Sequence, residues 1–154
     1  MLRRSALAAA LLLSCACSRD GAGTVRLLVA VPMTGDMAAS GQGVERGVRM
    51  AVEDETELGG LPKIEVVVSD DRSDPFEAAA VARRAVDDPL VFAVIGHLTS
   101  GCAIEASRVY AQAALAMITP SATATALPAQ QARPAWGGER VGFRLPPSDA
   151  LQGP

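Results

Sequence analysis

Four short apolar runs recur along the chain, each followed by a turn and then by residues at helical spacing. They lie in Val25 to Val31, Lys63 to Ser69, Val91 to Ile95 and Leu115 to Ile118. Runs this short and this rich in valine and isoleucine read as parallel strands buried on both faces. The stretches between them read as helices. Ser40-Gly41 opens the first, with Val44, Val48, Ala51 and Val52 inward, Glu45, Arg46, Arg49 and Glu53 outward, and Gly59-Gly60 as its stop. Asp74 is a good N-cap and Pro75 a good first residue for the second, which runs to about Val86 with Ala78, Val81, Ala82 and Ala85 inward. The third runs from about Gly101 to Ala114, with Thr99 and Ser100 available as caps. Parallel strands need crossover connections, so this alternation predicts an α/β fold: a parallel sheet with helices on both faces and right-handed crossovers.

After Thr125 the texture changes. Leu127 to Gly138 holds prolines, two glutamines, two glycines and the only tryptophan, and is expected to be an irregular surface loop. Val141 to Leu145 is a short fifth strand, and Pro146 to Asp149 a turn. With 154 residues, 49% of them hydrophobic and 3% aromatic, the chain can bury one alanine- and valine-rich core.

The first seventeen residues differ from the rest. Arg3 and Arg4 precede an apolar stretch, Ala6 to Leu13, followed by Ser14-Cys15-Ala16-Cys17 and a polar tether over residues 18–24. This is an export signal, too short to span a bilayer. A cysteine directly after the apolar stretch resembles a bacterial lipoprotein signal, in which that cysteine is lipidated. Cys15, with Leu12 three residues before it, fits better than Cys17, and plain cleavage near Ala16 is the alternative. Cys102, the one remaining cysteine, is expected on a helix-packing surface.

Several functions lack support. The net charge is −3 with no basic cluster, so nucleic acid is not an expected partner. With His97 as the only histidine and no C-x-x-C spacing, no metal site is expected. No glycine-rich phosphate loop and no G-x-S-x-G elbow occurs, so neither a cofactor nor a catalytic residue is assigned. His97 and Ser100 could serve a hydrolase only if the ring reached the hydroxyl, and His97 at a strand end reads better as a structural hydrogen-bonding residue.

The loops after the strands should gather at one edge, where open α/β sheets bind ligands. They hold Met33–Ser40, Asp70–Asp74, His97–Ser100 and Thr119–Thr123. Ser100 and Thr123 could donate to a carboxylate, a helix start adds free amides and a positive dipole end, and the Ser121 carbonyl could accept from an ammonium. The alternative is local: Ser100 caps its helix, and Ser121 and Thr123 stabilise a turn.

Motif order and spacing add a resemblance. Met33-Thr34-Gly35, Asp70-Asp71, Asp74-Pro75, Val94-Ile95-Gly96-His97-Leu98, Met117 through Thr123, Phe143-Arg144, Ser148-Asp149 and Gln152-Gly153 follow one another as in the periplasmic leucine/isoleucine/valine-binding proteins. These are the substrate-binding proteins of branched-chain amino acid ABC transporters. The resemblance covers about Val25 to Gly153 and implies a partial N-terminal lobe over residues 25–154, truncated before a second lobe. It implies carboxylate binding by Ser100, backbone contacts from Ser121, and hydroxyl and amide contacts from Thr123. Ser40 stands where family members often place a pocket tyrosine, and Ser73 and Thr99 stand where the best-known members have a disulfide. An amino-acid-like ligand, a permease partner, a periplasmic or extracytoplasmic site and a lipid anchor follow as expectations. A sensing receptor domain of the same fold, or a truncated remnant without function, is the alternative.

Overall fold

The computed structural model describes residues 23–59, 62–133 and 136–152. The stretch expected to be an export signal, both candidate lipidation cysteines and most of the expected tether lie outside the described residues. The strands are β1 (Val25–Val31), β2 (Ile64–Asp70), β3 (Val91–Gly96), β4 (Ala116–Thr119) and β5 (Gly142–Arg144). They form one all-parallel sheet in the order β2-β1-β3-β4-β5. The helices are α1 (Ala38–Leu58), α2 (Pro75–Asp87), α3 (Ser100–Gln112) and α4 (Ala126–Gln131). The chain steps from β1 to β2 in one direction, then from β2 past β1 to β3 in the other. Crossovers of one hand then place α1 on the opposite face from α2 and α3. The reversal leaves a switch point between β1 and β3, with its crevice at their carboxyl ends.

The core agrees with this layering. Leu28, Ala30, Val94 and Met117 of the sheet pack with α2 and α3, which present alanines to each other and to the strands. Ala78, Val81, Ala82 and Ala85 are all buried, as their spacing predicts. Cys102 is fully buried in the same cluster, and burial pushes its thiol up to about 11, as suits an inert packing residue.

The second face is only partly covered. Gly41 is the buried residue of α1, Val44, Val48 and Val52 are half-buried, and Ala51, expected inward, is exposed. The helix packs on β1 and β2. On the same face, at the opposite end of the sheet, Phe143 of β5 is 56% exposed.

Two boundaries depart from expectation. First, α1 begins at Ala38, not at Ser40-Gly41. Gly35, at φ 74°, turns the chain, the Ala38 amide donates to Gly35 O at 3.1 Å and the Gly41 amide to Met37 O at 3.1 Å. A backbone turn thus starts the helix, and Ser40 lies within its first turn. Second, Leu127 to Gly138 is not wholly irregular, because α4 occupies its start. Pro128 falls in the first turn, where no amide is needed. Leu127, Gln130 and Gln131 are buried. The Gln131 amide donates to Gly142 O at 3.0 Å and accepts from Gly142 N at 2.8 Å, tying α4 to β5. In α2 the expectation holds closely: Asp74 accepts from the amides of Phe76 and Glu77 at 2.7 and 3.1 Å.

Candidate functional site

β3 and β4 are neighbours in the sheet, so their carboxyl ends place the His97–Ser100 and Thr119–Thr123 loops side by side. Glycine makes the first of these possible. Gly96 has φ 147°, and a Cβ there would lie 2.0 Å from Ala30 O on the neighbouring strand. The two loops are then stitched together. Thr119, buried at the end of β4, donates its hydroxyl to His97 O at 2.6 Å and accepts from Ala122 N at 3.0 Å and, more weakly, from Ser121 N at 3.4 Å. The Ser121 hydroxyl donates to Leu98 O. Ser100 Oγ accepts from Ala124 N at 3.3 Å.

These bonds decide what each group has left to offer. Ser100 uses its hydroxyl as an acceptor, so its O–H remains to donate outward. It does not cap its own helix: Thr99 is the N-cap, without a side-chain cap bond, and among the described residues no side chain bonds the first-turn amides of α3. The first intrahelical bond runs from Ala103 N to Thr99 O at 3.0 Å, so the amides of Ser100, Gly101 and Cys102 lack intrahelical acceptors. Ser121 spends its hydroxyl on Leu98, and among the described residues no donor takes its carbonyl. The Thr123 carbonyl is occupied, accepting from Arg144 Nη1 at 3.0 Å and from Asp149 N at 3.0 Å. Its hydroxyl and amide are what it has for a ligand. The edge therefore presents donors over α3 and a carbonyl with a hydroxyl over β4, a pattern suited to a zwitterion.

Ser100, Ser121 and Thr123 thus share one edge. Ser40 stands apart, exposed on α1 one strand away, with no hydrogen bond to the other three. The edge is an open surface. A cavity of about 450 Å³ lies elsewhere, between α1 and β2, lined by residues such as Arg49, Glu53 and Lys63.

Asp70 closes the neighbouring loop. Its carboxylate accepts from the Thr34 hydroxyl at 2.6 Å, from Met33 N at 2.8 Å and from Arg72 N at 2.9 Å. Burial alone would raise its pKa, but these donors outweigh burial and hold it below the usual aspartate value.

His97 is fully buried, with Nδ1 on Asp71 at 2.6 Å and Nε2 on Tyr110 at 3.1 Å. Both ring nitrogens are engaged away from Ser100, as the structural reading of this histidine predicts. Among the described residues no cluster of three or more metal-ligating side chains occurs, and no helix is long and apolar enough to cross a membrane.

Sequence reasoning missed Arg144, Thr119, Asp71 and Tyr110 as supports of this edge. An arginine inside a short strand was a signal, since its charge must find acceptors. Arg144 finds the carbonyls of Thr123 and Ala124 at 3.0 and 3.1 Å.

Comparison with known proteins adds the family. The periplasmic binding protein model matches residues 24–137. The leucine-, isoleucine-, valine-, threonine- and alanine-binding protein of Pseudomonas aeruginosa is 36% identical over 135 residues, covering 86% of this chain and 34% of that protein. Among solved structures, the branched-chain amino acid transporter substrate binding protein LivJ of Streptococcus pneumoniae, in complex with isoleucine, superposes with a TM-score of 0.69 at 29% identity, over 83% of this chain and 35% of that one. An ABC transporter substrate-binding protein of Desulfitobacterium hafniense, in complex with leucine, gives 0.67 at 30% identity, over 82% and 35%. The chain thus spans about a third of the length of these relatives. With a five-stranded parallel sheet of this strand order and a family match over most of its length, the chain belongs to the periplasmic binding protein family.

Proposed function

We propose that this chain is the ligand-gripping lobe of an extracytoplasmic solute-binding protein serving an ABC transporter, and that it binds rather than transforms its ligand. The ligand is a small α-amino acid, branched aliphatic ones first. Its carboxylate would take the Ser100 hydroxyl and the first-turn amides of α3, where the helix dipole favours negative charge. Its ammonium would take the Ser121 carbonyl, and the Thr123 hydroxyl and amide would complete the grip. Ser40, on the adjacent helix, would border the ligand's side chain. Cys15, as the lipid-bearing residue after the export signal, would hold the lobe at the extracytoplasmic face of the membrane near a permease.

The observation that carries this reading is the Ser100–Ala124 bond at the ends of β3 and β4, because it sets the donors for one charge beside the acceptors for the other. Relatives named for leucine, isoleucine and valine, and solved neighbours holding leucine or isoleucine, support the ligand class. The test is thermal unfolding against the standard amino acids and their amides. Leucine, isoleucine and valine should raise the midpoint, and Ser100→Ala or Thr123→Ala should shrink the rise. No rise with any amino acid at millimolar concentration would overturn the proposal.

A further inference from the structure

Asp71, His97 and Tyr110 are completely buried, so none of them can touch a ligand. Their side chains nonetheless form one line. Nδ1 of His97 is 2.6 Å from Asp71 Oδ2, Nε2 is 3.1 Å from the Tyr110 hydroxyl, and the two rings stack with centroids 6.1 Å apart. A carboxylate only accepts, so Nδ1 carries a proton and donates it. In the neutral ring Nε2 is then the acceptor for the Tyr110 hydroxyl, and that is the proton arrangement the line implies. Burial first, and the Asp71 charge second, push the tyrosine well above its ordinary value, so the hydroxyl keeps its proton.

The line joins three elements, since Asp71 follows β2, His97 follows β3 and Tyr110 lies within α3. The backbone of the same histidine serves the other loop. His97 O is the acceptor for Thr119 Oγ1, and that oxygen in turn receives the amides of Ser121 and Ala122. One residue therefore meets β2 and α3 through its ring and the Thr119–Thr123 turn through its carbonyl. Stability alone is a poor reason for such a group, because a buried polar pair is often no better than apolar residues of the same volume. What the pair supplies is a fixed orientation.

We propose that His97 is the positioning residue of the binding edge: held at both ring nitrogens by Asp71 and Tyr110, it sets where the Ser100 helix start meets the Ser121–Thr123 turn. The proposal rests on the amino-acid-binding reading above, and the test separates the two. The first readout needs no variant. Side-chain ¹⁵N resonances of His97 should show a proton on Nδ1 and none on Nε2, and a proton on Nε2, alone or beside one on Nδ1, would overturn the arrangement.

The second readout uses Tyr110→Phe, which removes only the hydroxyl, beside Val81→Ala, a core truncation on α2. Tyr110→Phe should move the amide resonances of Ser121 and Ala122 and weaken leucine binding about fivefold, the equivalent of one hydrogen bond. Val81→Ala should leave both unchanged although it lowers stability. If Tyr110→Phe lowers stability but leaves those resonances and leucine affinity as in the parent chain, the network is merely structural and the proposal fails. If the parent chain responds to no amino acid, leucine included, the binding proposal fails instead, and the amide shifts alone decide whether His97 positions the turn.

Discussion

Two glycines of α1 should respond oppositely to the same substitution. Gly41 faces β1, and a Cβ there would lie 1.9 Å from Pro32 O and 2.8 Å from Pro32 C. Both are backbone atoms and cannot swing aside, so α1 must lift off the strand. Gly47 lies in the same helix with nothing within 4 Å of its would-be Cβ. Alanine is worth about 1 kcal/mol over glycine in a helix interior, and Gly47→Ala should gain that amount. Gly41→Ala gains the same propensity but takes on an overpacking cost of about 1–3 kcal/mol or more. A backbone contact this short belongs at the upper end of that range, so a net loss of about 1–2 kcal/mol is expected, and a gap of about 2–3 kcal/mol between the variants. At roughly 4 °C per kcal/mol for a domain of this size, the melting points should separate by about 10 °C. Urea denaturation of both variants beside the parent chain measures the free-energy gap, and thermal unfolding the separation of melting points. If Gly41→Ala stabilises as Gly47→Ala does, the close approach of α1 to Pro32 is wrong.

Asp74→Ala removes the cap of α2 and should cost about 1 kcal/mol of unfolding free energy in urea, while Asp74→Asn, still able to accept from the Phe76 amide, should cost much less. The Asp70 carboxylate gives a pH signature. Its folded pKa is depressed, so its contribution is present above the unfolded value and is lost as pH falls through the folded one, that is, below about pH 4. The stability gap between the parent chain and Asp70→Asn should therefore close on acidification below that point, and a gap that does not change with pH would refute the assignment.

What was legible in the sequence followed from local rules. β1 was readable because a strand buried on both faces needs apolar residues throughout, and α2 because Asp74-Pro75 announces a helix start. The edge holding Ser100, Ser121 and Thr123 was readable because carboxyl ends of parallel strands meet at one side. Ser40 shares that side without joining the other three. The start of α1 was not readable, because a backbone turn through Gly35 replaces a side-chain cap. Nor was α4, because Gln130 and Gln131 look like solvent residues until their partners are known. Those partners, Ile104, Ser107 and Gly142, are distant in sequence. Arg144 and the His97 network were hidden for the same reason: each depends on which strands become neighbours.

Mapping leucine onto the ¹⁵N-labelled chain by amide shifts addresses the binding edge most directly. The expected response is saturable and confined to Ser100 through Cys102 and Ser121 through Thr123, and Ser100→Ala should weaken it. Saturable shifts centred instead on the cavity between α1 and β2, with the Ser100 and Thr123 amides unmoved, would contradict the assignment of this edge as the place where ligand is held.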